Sequence, residues 1–423
     1  MVRQRPAFLK RNGLPYPWNG MSPQSVGSKP PTSRVEDELV LLCARTKVDE
    51  ETSARIKAIT SSHKVDWNYV FELARRHSVV PLIYYQLSTI APTNLLSARI
   101  SRLKENYQDN VARNQVLTAE LCRILQVFES AGIEAVPYKG PALAVYAYQN
   151  LALRRFVDLD ILVQKADVLQ AKELLIARGF VCGAPWTDAQ LAVLLRTQHN
   201  LSLSREAGRL MVELHWEVAS SLFDSSLQTE NVWARLETIT LNNLKVRSLA
   251  AEDLLLSLCV HGSKHLWSRL EWICDVAELA RTRTNLNWSV VIDRAESYGN
   301  ARMLFLGLYL AKSLLGAALP EQVNSKLTSE RTLPSLANEV SKRLFSGVQP
   351  DLASISESFR FNWALRPSWR SRLRYCRLLW QPSDADIETM PLPQSLSFAY
   401  YLMRPFGLLK RDRNRRVDLA SGR

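Results

Sequence analysis

The chain has 423 residues, and at about 150 residues per domain this length points to two or three domains. Hydrophobic residues at 47% and charged residues at 22% exclude a disordered or fibrous chain and allow a sizeable buried core. The formal charge of +13 is uneven, because thirteen Lys/Arg face five Asp/Glu from Arg360 to Arg423 and give that stretch a net +8.

Residues 1–34 are rich in Pro, Gly and Ser and read as a disordered tail. Their basic start lacks the apolar stretch of a secretory signal, so a cytoplasmic location is expected. The six cysteines, Cys43, Cys122, Cys182, Cys259, Cys274 and Cys376, form no C-x-x-C pair. They read as small core residues in a reducing compartment. Residues 35–131 carry apolar side chains at three-to-four spacing, as in "EDELVLLCART" and "WNYVFELARRH", and are predicted helical. One long helix is expected to close this region, stopped by Gly132.

The pattern changes over 132–249. "IEAVPY" and "DLDILV" read as strands, "PALAVYAYQ" and "ADVLQAKELLIARGF" as helices. "NLSLSR" and "RLMVELHWEV" read as a hairpin turning at Glu206, Ala207 and Gly208. This mixture predicts an α/β layer. Residues 250–348 return to helix. The best transmembrane candidate, Met303 to Pro320, is short and contains Lys312, so a buried helix is expected instead. Residues 349–423 form a basic, partly helical end.

The chemistry gathers in "YKGPALAVYAYQNLALRRFVDLDILV", Tyr138 to Val163. Alternation on a strand turns Asp158 and Asp160 to one face. Paired carboxylates repel, and hard Mg²⁺ is a fitting partner for them. Glu213 and His215 share a face of "RLMVELHW", so pairing of the two strands would make Asp158, Asp160 and Glu213 converge as metal ligands. Such a trio can hold two metals for phosphoryl or nucleotidyl transfer. Lys139 and Gly140 form a turn ahead of a helix begun by Pro141, suited to phosphate. Arg154 and Arg155 are placed to clamp a triphosphate or stabilise leaving pyrophosphate.

These residues, with "VELHWEV" and "EDLLLSLCVHGSKH…WICDVAEL", carry a resemblance to the bacterial nucleotidyltransferase-like family of the DNA polymerase beta superfamily. It runs from about Cys122 to Leu279. The resemblance implies an α+β fold, a mixed-sheet nucleotidyltransferase core flanked by N-terminal and C-terminal helical regions. It also implies Mg²⁺ and a nucleoside triphosphate such as ATP, with an NMP group moved to a small-molecule or protein acceptor. Asp158 and Asp160 match the metal-binding pair, Glu213 the third carboxylate, Lys139 and Gly140 the phosphate turn, and Arg154 the motif arginine. The chain departs from the wider superfamily in having Lys139-Gly140 where Gly-Ser or Gly-Gly is usual, and Glu213 where aspartate is common.

Other readings stand beside this one. A non-catalytic nucleotide-binding or interaction module would keep the same motifs, and a nucleic-acid-directed transferase would account for the charge. His215 reads as a ligand neighbour or as a core histidine beside Trp216, with the core reading favoured. His261 and His265, four apart on a helix, read as a structural face or cleft wall, and His199 as a polar strand edge. "FNWALRPSWRSRLRYCRLLW" interleaves Arg with aromatics and is expected to pack on the helical region with its tryptophans buried. The alternative for it is contact with an anionic surface or nucleic acid.

Overall fold

The computed structural model describes residues 34–61, 64–90, 99–183, 186–218, 232–346, 354–389, 392, 396–405 and 407. The expected N-terminal tail, apart from its last residue, lies outside the described residues, as does the basic stretch beyond 407. The fold is mixed α+β. Helices α1 (Val35–Cys43), α2 (Glu50–Thr60), α3 (Trp67–Arg76) and α4 (Val80–Ile90) lead to the 30-residue α5 (Ser101–Ser130). Asp49 and Asp66 cap α2 and α3 by accepting the Thr52 and Tyr69 amide hydrogens, which those helix ends cannot satisfy internally. Beyond α5 the chain turns at Gly132, whose φ of +75° suits a residue without Cβ.

The central layer contains β1 (Ala135–Pro137), α6 (Gly140–Tyr146), β2 (Leu159–Val163), α7 (Val168–Ala177), β3 (Val181–Cys182), α8 (Asp188–Thr197), β4 (Asn200–Arg205) and β5 (Leu210–His215). Its five strands are ordered β1-β2-β5-β4-β3. β2 and β5 run parallel, and the other neighbours are antiparallel. The β4–β5 hairpin turns where expected, with Glu206, Ala207 and Gly208 all at positive φ. Ile161, Val163, Val212 and Leu214 turn one face of the sheet into the core, which leaves the alternate positions to the site.

A second hairpin, β6 (Glu237–Leu241) and β7 (Leu244–Ser248), has no counterpart in the sequence reading. Its two-residue turn is Asn242-Asn243, both at positive φ, a conformation that asparagine tolerates. Ser248 Oγ donates to the Pro137 carbonyl at 3.0 Å and ties this hairpin to β1.

Helices α9 (Ala251–Lys264), α10 (Leu270–Thr282), α11 (Trp288–Tyr298), α12 (Ala301–Leu315), α13 (Glu321–Ser329) and α14 (Leu333–Phe345) follow. α12 covers most of the transmembrane candidate and is buried against its neighbours. Among the described residues no helix is long and apolar enough to cross a membrane. Trp267 is fully buried between two glycines. A Cβ at Gly262 would lie 2.5 Å from its ring, and one at Gly307 would lie 2.6 Å from Cys259 Sγ. One continuous apolar core joins the N-terminal helices, the sheet and α9–α14.

His77 shows how the two helical regions are locked together. It follows α3, and its Nε2 lies 2.9 Å from the Leu344 carbonyl while Nδ1 accepts from the Leu270 amide at 3.4 Å. Both bonds suit a neutral ring. Burial pushes its pKa down to about 4, with the Leu344 bond opposing. A histidine whose folded pKa lies below its unfolded value stabilises fully above the unfolded value and loses that contribution as pH falls. Stability should therefore decline from about pH 6.5 toward pH 4, His77 accounting for about 3 kcal/mol. Melting temperature measured across this window should fall less steeply in His77→Gln than in the wild type. Equal slopes would remove His77 from the acid response.

The C-terminal part consists of α15 (Ile355–Ala364), α16 (Trp369–Leu379) and α17 (Asp384–Thr389), followed by a helical turn around Tyr400. It is held on α8, where Ile387 and Tyr400 pack with Val193 and Gln190 Nε2 donates to the Ile387 carbonyl at 2.8 Å. The expectation of buried tryptophans is corrected here. Trp369 is 66% exposed and Trp380 54% exposed, because α16 turns Tyr375 inward instead.

Candidate active site

The β2–β5 register sets Asp160 directly opposite Glu213. β4 then brings Asn200 beside His215, and Asn200 Nδ2 donates to Glu213 Oε2 at 3.1 Å. His215 Nε2 lies 3.0 Å from Asp160 Oδ1 and 3.3 Å from Glu213 Oε2, so one imidazole joins the two carboxylates. Lys139 Nζ reaches Asp160 Oδ1 at 3.1 Å from the turn between β1 and α6. That turn needs a glycine: Gly140 has φ +50°, and a Cβ there would meet the Asp158 carbonyl oxygen at 3.1 Å. Lys139, Gly140, Asp158, Asp160, Glu213 and His215 all line one cavity of about 1140 Å³.

The electrostatics divide the three carboxylates. Burial works against ionised Asp160, but Lys139 and His215 outweigh it and hold the carboxyl below its ordinary range. Burial likewise opposes Glu213, and the His215 hydrogen bond leads the effects that lower its pKa. The imidazole gains from the same contacts: burial disfavours its charge, and the bonds to Asp160 and Glu213 raise its pKa nonetheless. Burial also disfavours the charge of the half-buried Lys139 ammonium, and Asp160 leads the neighbours that keep it charged. Asp158 lacks such a partner. Burial, then the Asp160 and Glu213 charges, push its carboxyl up to about 6.

Asp160, Glu213 and His215 offer ligand atoms that all lie within 4.8 Å of one another. Two carboxylate oxygens and one imidazole nitrogen form a donor set that a divalent cation fits. Among the described residues no other such group occurs, and Asp158 stands outside it. This differs from the trio expected from strand alternation. The β2 ladder begins at Leu159, so the pleat does not fix the direction of Asp158.

Arg154 and Arg155 both line the cavity, but their partners differ. Arg154 is buried, and its Nε and Nη2 donate to the two Asp275 oxygens at 2.8 and 2.9 Å. Tyr148 adds a bond to Asp275 Oδ1 at 2.7 Å. Asn114 Nδ2 from α5 donates to the Arg154 and Leu151 carbonyls and shapes the loop before β2. Arg155 lines the cavity and makes no side-chain hydrogen bond or ion pair among the described residues. Burial lowers its pKa, and the nearby Arg113 adds to the effect.

His199, His261 and His265 line the same cavity. The rings of His261 and His265 lie 4.7 Å apart, each packed against Trp272, and form a wall rather than a member of the metal-fitting group. Sequence reasoning missed Asn200, Trp272 and Glu271 as cavity residues. Burial pushes the Glu271 carboxyl up to about 7. No local pattern marks it, because it enters the cavity through the docking of α10. The sequence favours a core role for His215, although its position two beyond Glu213 on one strand is a signal for the site.

No curated protein is significantly similar to the chain. A family model described as an uncharacterised nucleotidyltransferase matches residues 63–316, more than half of the chain. The match takes in the sheet, all the cavity carboxylates and the helices α9 and α10 that wall the cavity. The chain belongs to this nucleotidyltransferase family.

Proposed function

We propose that the protein transfers an NMP group from a Mg²⁺-bound nucleoside triphosphate, such as ATP, to a hydroxyl of a small-molecule or protein acceptor. The observation that carries this reading is the parallel β2–β5 register, which sets Asp160 against Glu213 inside a cavity that Lys139, Arg155 and Asp158 also line. Typical small-molecule sites occupy about 300–1,000 Å³. The larger volume here leaves room for nucleotide and acceptor together.

In the reaction the acceptor oxygen forms a bond to the α-phosphorus, and the bond from that phosphorus to the bridging oxygen breaks. Pyrophosphate leaves with the electron pair. Asp160, Glu213 and His215 would hold the cation, which when bound neutralises phosphate charge and polarises the phosphoryl group. Asp158, bonded to neither Lys139 nor His215, is the carboxylate assigned to take the proton from the acceptor hydroxyl. Lys139 and Arg155 receive the phosphates at the Gly140 turn. Arg154, held by Asp275, is assigned to position the loop that bears Arg155 and Asp158.

The test uses the full chain with each α-labelled NTP, Mg²⁺ and a cell extract as acceptor pool. The expected results are thermal stabilisation by at least one Mg²⁺–NTP, pyrophosphate release and a labelled acceptor. Stabilisation without label transfer would favour a non-catalytic nucleotide-binding module. Absence of both would overturn the reading.

A further inference from the structure

We propose that the C-terminal segment docks the protein peripherally on an anionic lipid bilayer. Thirteen large hydrophobic side chains are exposed among the described residues, and seven of them lie between Trp369 and Leu402. Trp369, Leu373, Phe398 and Leu402 are each more than half exposed. At 3.6 residues per turn, Trp369 and Leu373 lie about 40° apart on α16, and Trp380 follows its last residue. Arg370, Arg374 and Arg377 are exposed on the adjoining flank. The apolar and basic side chains meet in one groove, where Trp369, Leu373 and Tyr401 stand with these three arginines.

The surface is a held platform, not a loose end. Tyr400 and Ile387 pack inward on Val193 while the adjacent Tyr401 faces out. Arg404 pairs with Asp386 at 2.8 Å and joins the last helical turn to α17. Exposed apolar patches of this kind mark binding surfaces. Trp and Tyr with Leu, bordered by arginine, are the side chains that lie at the boundary between headgroups and acyl chains.

Charge and chemistry choose among the occupants. Residues 408–423 hold six Lys/Arg and two Asp, so this remaining segment is repelled by the α16 arginines and shares their attraction to anionic headgroups. A second copy would bring the same positive face against itself. Single-stranded nucleic acid would use the aromatics and arginines for stacking, and would gain nothing from Leu373, Leu396 and Leu402. A bilayer with acidic headgroups uses all of them.

The experiment is flotation of the full chain with vesicles of phosphatidylcholine alone and of phosphatidylcholine mixed with phosphatidylglycerol. Binding is expected only with phosphatidylglycerol, weakening as salt rises, with a blue shift of tryptophan fluorescence. Two variants, Trp369→Ser with Leu373→Ser and Arg370→Gln with Arg374→Gln and Arg377→Gln, should each lower partitioning by about tenfold or more. Both should keep the wild-type melting temperature and NTP turnover measured without vesicles, which separates this surface from the cavity chemistry. Failure of wild type to float with the acidic vesicles would overturn the proposal. So would undiminished flotation of both variants, or RNA binding or self-association lost in the same variants without lipid binding.

Discussion

Asp158→Asn and Asp160→Asn should each reduce nucleotidyl transfer on the order of 10³-fold or more, yet move stability in opposite directions. Both changes keep side-chain shape and delete one charge. Asp160 accepts from Lys139 and lies against His215, so its loss leaves a half-buried ammonium and a buried imidazole short of their counter-charge. Asp160→Asn should lower the melting temperature of the metal-free protein. Asp158 makes no such contact, and burial with the Asp160 and Glu213 charges outweighs the opposing pull of Lys139 and Arg154. Its folded pKa lies above the unfolded value, so the wild type loses stability as pH rises from about 4 through about 6. Asn does not ionise, and the variant should be more stable than wild type by about 2–3 kcal/mol at neutral pH. Transfer measured by pyrophosphate release, with melting curves at pH 7 without metal, checks both halves. Full activity in Asp158→Asn would remove it as the base, and equal melting shifts would contradict the division of charge in the site.

The elements that were legible in the sequence are those fixed by nearest neighbours. Apolar alternation along Leu210, Val212 and Leu214 marks β5, and the Glu206-Ala207-Gly208 turn fixes its pairing with β4. The long α5 and its stop at Gly132 follow from three-to-four spacing and a residue able to adopt positive φ. What escaped is set by packing over long separations. Arg154 reads locally as a phosphate clamp beside an acidic strand, and nothing within that window shows Asp275, 121 residues away, taking its fork. His215 reads locally as a neighbour of Trp216, and only the parallel ladder brings Asp160 onto its Nε2. The β6–β7 hairpin is different. Its Asn-Asn turn was a local signal, overshadowed by the strongly helical residues that follow at Ala250.

The pair formed by Arg154 and Asp275 carries the second large effect. Both side chains are buried, their two bonds are bidentate, and Tyr148 completes the carboxylate. Removing one member leaves the other charged and unpaired in the interior, so Arg154→Met alone should cost about 3–5 kcal/mol. Replacing a whole buried ion pair by apolar residues is often near neutral. Arg154→Met with Asp275→Leu and Tyr148→Phe should therefore recover most of the lost melting temperature. This rescued variant also separates positioning from phosphate contact. If Arg154 only orders the loop before β2, the triple variant should bind Mg²⁺–NTP within a few-fold of wild type, whereas Lys139→Ala should bind it on the order of tenfold more weakly. Restored stability with NTP affinity as weak as in Lys139→Ala would instead make Arg154 a direct ligand of the triphosphate, and Asp275 a partner it gives up on binding.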